Sequence, residues 1–319
     1  MRVISLHRHV IVVTSQLLQA HCTIVRGAQP VPDGAQPVSG EALAAPAGPE
    51  GAPAEVFAID SPVLPEELEL LPSLVEQAGF PAPSGLLATH ADWDHVLGPL
   101  AFTDATLGCA ESTAARLNAE PGAAQRELRR FDEELHIQRP RPLSLGSVQA
   151  LAVPGRCDIG PVELELHPAT GHTPDGMAVW IPWARVLVAG DYLSPIELPM
   201  LGNGGVARGG GAARGSEAAR GGGAARGGEA VGRPGGAGGG DMLAAYLATL
   251  DRLRPLVAAA EHVVPGHGPV IDGAAALRVL DEDANYLTDL RERGAEAELP
   301  PQRRSKVQRE LHMQNAGLL

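Results

Sequence analysis

The hexapeptide HADWDH, residues 90–95, places four titratable side chains within one short turn. They are His90, Asp92, Asp94 and His95. The turn follows the apolar run GLLAT, residues 85–89, which predicts a short strand. Imidazole and carboxylate groups together are ligands for Zn, Fe or Mn. The hexapeptide therefore predicts part of a metal site at a strand end, although a solvated histidine-rich turn would have the same composition.

Three more residues with metal-ligating side chains follow predicted strands later in the chain. His172 lies in the turn TGHTPDG after the run VELELH, Asp191 directly follows RVLVAG, and His267 follows HVV within VPGHG. Loops that are anchored on a rigid sheet can converge in space even when they are far apart in sequence. Four strand ends that each present imidazole or carboxylate thus predict one shared metal site.

The elements that would position these residues are strands flanked by helices in both halves of the chain. Helical patterns cover residues 65–79, 111–135, 241–260 and the C-terminal stretch, and Pro65 and Gly79 mark the ends of the first helix. The predicted strands are VISL, HVIVVT, CTIVRG, EVFAID and GLLAT, then VQALAV, VELELH, MAVWIP, RVLVAG and HVVPG. This arrangement predicts two sheets packed face to face with helices outside.

Two low-complexity stretches interrupt the pattern. Residues 27–54 are rich in Pro, Ala and Gly and contain GAQPV twice, which predicts an expanded hairpin loop. Residues 203–240 hold ARGGGAARGSEA followed by ARGGGAARGGEA, a repeat that has almost nothing to bury and no aromatic side chain to stack on RNA bases. We therefore expect one domain over residues 1–274 with two insertions, and a helical extension over 275–319 packed on that domain.

Composition narrows the classes of partner. The formal net charge of −13 argues against nucleic acid, which requires clustered Lys and Arg. No apolar run approaches the roughly 18 residues of a membrane span, so no membrane partner is expected. The three cysteines lack any CxxC spacing, which favours reduced thiols and a cytoplasmic location. The sequence does not indicate an oligomeric state.

In order and type, the seven His and Asp residues resemble the metal-binding motifs of the metallo-β-lactamase superfamily of metallohydrolases. Spacing supports the resemblance, because intervals of 77, 19 and 76 positions separate His95, His172, Asp191 and His267, and residues 203–240 account for 38 of the last 76. The resemblance extends to about residue 270. It implies an α/β (α+β) fold, the four-layer αββα sandwich, with a two-metal site at one edge.

The resemblance also implies a role for each residue. It assigns His90, Asp92 and His172 to one cation and Asp94, His95 and His267 to the other, with Asp191 bridging and with Asp94 and Asp191 as the catalytic carboxylates. Two divalent cations would then activate a shared water as nucleophile, so no serine or cysteine nucleophile is required. The expected metal is Zn²⁺, with Fe or Mn as alternatives.

Two positions depart from the family pattern. Asp92 stands where the family usually has histidine, and its charge shifts the metal preference toward Fe or Mn, as in the similar flavodiiron oxygen reductases. Asp175 stands where the family often has glycine, in a turn expected to tolerate it. Asp191, where one antibiotic-degrading subgroup has cysteine, makes glyoxalase II-like thioesterases and lactonases more similar.

These features predict a metal-dependent hydrolase of an ester, thioester or lactone of a small molecule. A phosphodiesterase or nuclease of the same fold, or a diiron redox or binding protein, remains the alternative. A basic cluster near the C-terminus bears on the substrate and comprises Arg303, Arg304, Lys306 and Arg309. Either it lines the mouth of the site and attracts an anionic substrate, or it is a solvated helix face paired with nearby glutamates.

Overall fold

The computed structural model describes residues 1–27, 54–202 and 239–319. Within these ranges the chain forms two mixed sheets, one of seven strands and one of six. The first sheet runs in the order β1 (Arg2–His7), β2 (Val10–Thr14), β3 (His21–Arg26), β4 (Val56–Asp60), β5 (Gly85–Ala88), β6 (Thr106–Ala110) and β7 (Val148–Leu151). The second contains β8 (Gly155–Ile159), β9 (Val162–Pro168), β10 (Met177–Ile181), β11 (Val186–Gly190), β12 (His262–Pro265) and β13 (Ile271–Asp272), in the spatial order β13 to β8.

Helices cover the outer faces of both sheets. On the first sheet they are α1 (Pro65–Gln77), α2 (Gly98–Ala101), α3 (Glu111–Ala119) and α4 (Ala123–Leu135). On the second they are α5 (Gly239–Ala259), α6 (Gly273–Arg293) and α7 (Lys306–Leu318). The order of layers is helix, sheet, sheet, helix, which confirms the predicted αββα sandwich.

Three buried apolar clusters hold these layers together. The central cluster joins the inner faces of the two sheets, with Val12 and Ile59 from the first and Leu166 and Val188 from the second. The other two clusters lie between each sheet and its helices. Because β2, β10 and β11 are buried on both faces, they consist of nearly continuous apolar residues rather than an alternating pattern.

The predicted strands all occur, but three observed strands were not predicted. β6 carries Gly108 in the sequence TLGCA, β8 alternates exposed polar residues in GRCDI, and β13 has only two residues. None of these sequences shows a sustained apolar run, so their strand conformation depends on pairing with neighbouring strands. The interpretations of the two low-complexity stretches, residues 27–54 and 203–240, fall almost entirely on residues 28–53 and 203–238, which lie outside the described residues.

The strand ends that carry the predicted site residues meet at one edge of the sandwich. Backbone hydrogen bonds connect the two sheets there: the amide of Met177 donates to the carbonyl of Thr89 at 2.7 Å. The amide of His21 likewise donates to the carbonyl of Gly266 across the two sheets at 3.2 Å, and within the second sheet the amide of Gly266 donates to the carbonyl of Gly190 at 2.6 Å. The loops of both sheets are therefore fixed relative to one another. No helix in the described ranges is long and apolar enough to cross a bilayer.

Candidate metal centre

All seven predicted site residues come together in a buried cluster at this edge. Four lie in the turn after β5, and the others follow β9, β11 and β12. The four imidazoles and Asp94 are at most 3% exposed. The side chain of Asp191 is 4% exposed and that of Asp92 is 13% exposed. The side chains thus come from turns at separate strand ends of the two sheets, and they lie close to one another.

The carboxylate of Asp191 lies at the centre of the cluster. Its Oδ2 is 3.1 Å from Nε2 of His172 and 3.8 Å from Nε2 of His90. Its Oδ1 is 3.1 Å from Nε2 of His95 and 3.3 Å from Nε2 of His267. Each oxygen therefore faces a different pair of imidazoles.

The remaining carboxylates divide the cluster in the same way. Oδ2 of Asp92 is 3.6 Å from Nε2 of both His90 and His172, and these three residues are called the first triad. Oδ2 of Asp94 is 3.3 Å from Nε2 of His267 and 3.9 Å from that of His95. Asp94, His95 and His267 are called the second triad. Within each triad, one ligand atom per residue lies within 4.8 Å of the others.

The donor set fits divalent cations. The Nε2 atoms of His90, His95 and His172 are buried and make no well-aligned hydrogen bond within the described part of the chain. Buried polar atoms that lack a partner are uncommon, because each costs desolvation energy. Imidazole nitrogens and carboxylate oxygens aimed at common points match the coordination chemistry of Zn, Fe and Mn. A cation at each triad would satisfy these atoms.

The opposite ring nitrogens are held by the protein. Nδ1 of His95 lies 3.0 Å from Oδ2 of Asp60, and Nδ1 of His172 lies 3.2 Å from the carbonyl of Met200. Nδ1 of His267 lies 3.0 Å from the carbonyl of Leu18. Contacts of this kind orient a metal-ligating imidazole and leave Nε2 for the cation.

Asp60 is a supporting residue that the sequence analysis missed. It ends β4 with a left-handed backbone (φ 57°), and its carboxylate also accepts hydrogen bonds from the amide and hydroxyl of Thr89, each at 2.8 Å. Through these bonds Asp60 fixes both His95 and the start of the 90–95 turn. An aspartate at the end of the predicted strand EVFAID was the available signal, because the other strand ends also carry site residues.

The comparisons with known proteins agree with this geometry. Residues 66–267 match the family model described as the metallo-beta-lactamase superfamily. The chain belongs to this superfamily. Solved superfamily structures align over most of its length, including a metallo-beta-lactamase from Pontibacter korlensis, with 17% identity, 88% of this chain and 97% of the other covered, and a TM-score of 0.50. A metallo-beta-lactamase family protein from Thermus thermophilus aligns with 17% identity, coverage of 90% and 82%, and a TM-score of 0.56.

A third structure is that of a stereoselective inverting sec-alkylsulfatase from a Pseudomonas species. It aligns with 13% identity and a TM-score of 0.61, and the alignment covers 99% of this chain but 49% of the sulfatase. At these identities the structures share the fold with this chain, and they do not transfer a substrate. The comparison with curated proteins gives no match. The superfamily binds divalent metals, and the side chains of each triad in this chain could hold such an ion.

The closely spaced carboxylates of the metal centre raise the pKa of two of its imidazoles. Burial lowers the pKa of the His172 imidazole, but Asp191 and Asp92 outweigh it and raise the pKa to about 9. Burial has the same effect on His95, yet Asp191, Asp60 and Asp94 raise its pKa well above the usual value. Without a cation, the imidazoles of His172 and His95 therefore retain their protons at neutral pH.

Metal affinity is consequently expected to rise with pH. Below about pH 9, the imidazole of His172 carries a proton that a cation must displace. For each proton released on binding, metal affinity should therefore rise about tenfold per pH unit until that pKa is passed. Competition titrations with Zn²⁺ between about pH 6 and pH 9, combined with measurement of proton release, check this. Equal affinities across that range would show that the imidazole of His172 is already neutral in the metal-free protein.

Gly266 permits the close approach of β12 to Asp191. A Cβ atom at this position would overlap Oδ1 of Asp191 and would lie 3.0 Å from Cε1 of His95. We expect Gly266→Ala to displace the Asp191 carboxylate and to lower metal content and kcat/KM by roughly tenfold or more. Gly317→Ala is the control, because a Cβ atom there would meet no atom within 4 Å. Metal analysis and ester hydrolysis measure both variants, and wild-type values for Gly266→Ala would contradict the prediction.

A small pocket opens beside the two triads. Its lining residues are His172, Asp191, Ser194, Glu197, Leu198, Pro199, Met200, Tyr246, His267 and Asp283. The segment 194–200 forms one wall, and α7 holds this wall through Gln308 and Asn315, whose side-chain oxygens accept from the amides of Leu198 and Leu201.

Most of the basic cluster is solvated, as one alternative predicted: Arg304, Lys306 and Arg309 are exposed, and Nζ of Lys306 lies 3.7 Å from Oε1 of Glu310. Arg303 fits neither alternative. Arg303 is 1% exposed, so it belongs neither to an open mouth nor to a solvated face. Its guanidinium contacts the carboxylates of Asp283 and Glu282 and donates to the carbonyl of Glu197 at 2.9 Å. Arg304 is exposed and donates to the carbonyl of Leu299. The charge of Arg303 is therefore balanced within the wall, which removes the main reason to expect an anionic substrate.

Proposed function

We propose that two divalent cations bind at the two triads and that the protein is a hydrolase of small esters, thioesters or lactones. The observation that carries this proposal is the placement of Asp191, whose two oxygens face the imidazoles of different triads at 3.1 to 3.8 Å. A carboxylate in that position can bridge two cations. Zn²⁺ is the expected metal, and the carboxylate of Asp92 in the first triad supports Fe or Mn as alternatives.

In this proposal each group of residues has a separate role. Bound cations would supply an activated water and polarise the attacked carbonyl. Asp94 and Asp191 would hold and orient the proton of that water, since both carboxylates are buried among imidazoles. The hydroxyl of Tyr192 accepts from the backbone amide of His172 at 3.1 Å, so Tyr192 fixes the turn after β9.

The pocket supports carboxylic esters over phosphodiesters. Among its lining residues, Asp191, Glu197 and Asp283 are acidic and none is Lys or Arg. A phosphodiester would bring a negative charge next to these carboxylates, and phosphate sites usually contain Arg or Lys. An uncharged substrate is therefore favoured over an anionic one.

The test is metal analysis of protein purified without added metal, combined with a substrate panel. The panel contains a thioester, a lactone, an uncharged aryl ester and bis-p-nitrophenyl phosphate. We expect about two equivalents of metal per chain, hydrolysis of at least one carboxylic substrate at roughly ten times or more the phosphodiester rate, and loss of activity on chelation. Protein without stoichiometric metal, or a preference for the phosphodiester, would contradict the proposal.

A further inference from the structure

The two residues that depart from the family pattern contact the same side chain. Nη2 of Arg116 is 2.8 Å from Oδ1 of Asp92, and Nη1 is 2.7 Å from Oδ1 of Asp175. Arg116 lies on α3, far in sequence from both turns, and its side chain is 14% exposed. Neither the hexapeptide HADWDH nor the turn TGHTPDG indicates this connection.

Each carboxylate uses its other oxygen for a different contact. Oδ2 of Asp92 faces His90 and His172, at 3.6 Å from both Nε2 atoms. Oδ2 of Asp175 accepts from the backbone amide of Ala91 at 3.0 Å. Arg116 therefore leaves only one oxygen of Asp92 for the first triad, while Asp175 fixes the backbone next to His90.

The two carboxylates of Asp92 and Asp175 need a positively charged side chain beside them. A carboxylate at position 92 adds one negative charge that a neutral imidazole would not bring, and Asp175 adds another. Buried charges are stable only when they are paired and hydrogen bonded. A guanidinium remains protonated in proteins and can serve two carboxylates in fixed directions, which the single ammonium group of lysine cannot do.

We propose that Arg116 is a positioning residue that, together with Asp175, makes Asp92 a one-oxygen ligand of the first triad in place of the usual histidine. Arg116 sets the direction of Asp92 and offsets its charge, so the two departures and Arg116 act as one unit. This inference rests on the proposed metal centre, since Arg116 acts on the cation only through Asp92.

The first experiment titrates metal-free protein with Zn²⁺ against a chromophoric chelator. Arg116→Gln is expected to raise the Kd of one of two equivalents by about 10- to 100-fold, the usual effect of removing a residue that orients a ligand. Arg116→Lys, which keeps the charge but not the two-pronged contact, is expected to fall between wild type and Arg116→Gln. Arg129→Gln, which removes an exposed charge from α4, serves as the control and should bind both equivalents normally.

The second experiment measures the effect of Arg116→Gln in protein that also carries Asp92→His. With Asp92→His, Arg116 lies against an imidazole rather than a carboxylate, so Arg116→Gln should then tighten binding by about threefold or more. This reversal of sign would not follow from a general loss of stability. The melting temperature of each metal-free variant shows whether it has folded.

The outcomes separate this inference from the proposed function. Wild-type protein that binds no metal would overturn the metal centre itself. Wild-type protein that binds two equivalents, with Arg116→Gln and Arg116→Lys unchanged from it, would overturn only the role of Arg116. An equal weakening by Arg116→Gln in the wild-type and Asp92→His backgrounds would likewise contradict it, because Arg116 would then act independently of the side chain at position 92.

Discussion

Asp191→Ala is expected to release both cations and to lower kcat/KM about 1000-fold or more, which corresponds to about 4 kcal/mol. The physical reason is that Oδ1 and Oδ2 of Asp191 face the imidazoles of different triads. No other carboxylate of the described cluster lies within 4 Å of imidazoles from both triads. Removal of this side chain therefore takes one ligand from each proposed cation and leaves the cavity between them uncharged.

Metal content after gel filtration and hydrolysis of the best carboxylic substrate measure this effect. Asp158→Ala is the matched control, because Asp158 is an exposed aspartate on β8. This control should retain wild-type metal content and rate. If Asp191→Ala kept two equivalents of metal, Asp191 would not bridge, and the two cations would be bound by the triads alone.

Arg303→Met is expected to lower the free energy of unfolding by about 3 kcal/mol or more. Methionine fills much of the volume but leaves the carboxylate of Asp283, itself 1% exposed, without its cation. Burial raises the pKa of Asp283 to about 7 even against the opposing effect of Arg303. The carbonyls of Ser194 and Glu197 would also lose a donor, and both belong to the pocket wall.

Chemical unfolding at a fixed metal concentration measures the change. Arg304→Met is the control, because Arg304 is exposed, and a shift within about 0.5 kcal/mol is expected for it. Arg303→Met combined with Asp283→Leu should recover part of the loss, since no unpaired charge then remains buried. Equal stabilities of Arg303→Met and Arg304→Met would mean that the ion pair adds nothing to the fold. A higher KM for anionic substrates alone would instead support the steering role that the buried position argues against.

The amino-acid sequence alone determined the class of fold and the members of the cluster. Apolar runs bounded by turns predicted strands in both halves, and polar residues immediately after them, such as the HADWDH turn and Asp191, marked the strand ends. These features are local, because a side chain's position relative to its own strand follows from the alternation and length of the run. The resemblance to the superfamily motif then divided these residues between two cations. The geometry of the two triads agrees with that division.

Only the tertiary structure decided which residues support and balance the cluster. Arg116 and Arg303 have the same appearance in sequence as the exposed arginines around them. Yet Arg116 is largely buried and Arg303 is fully buried, each against carboxylates from distant elements. Gly266 matters because of one atom of Asp191, and Asp60 because of a turn that begins 29 positions later. Such contacts join residues that no periodicity or spacing relates. Their partners are set by how the sheets and helices pack, so burial and charge pairing there could be known only once the layers were in place.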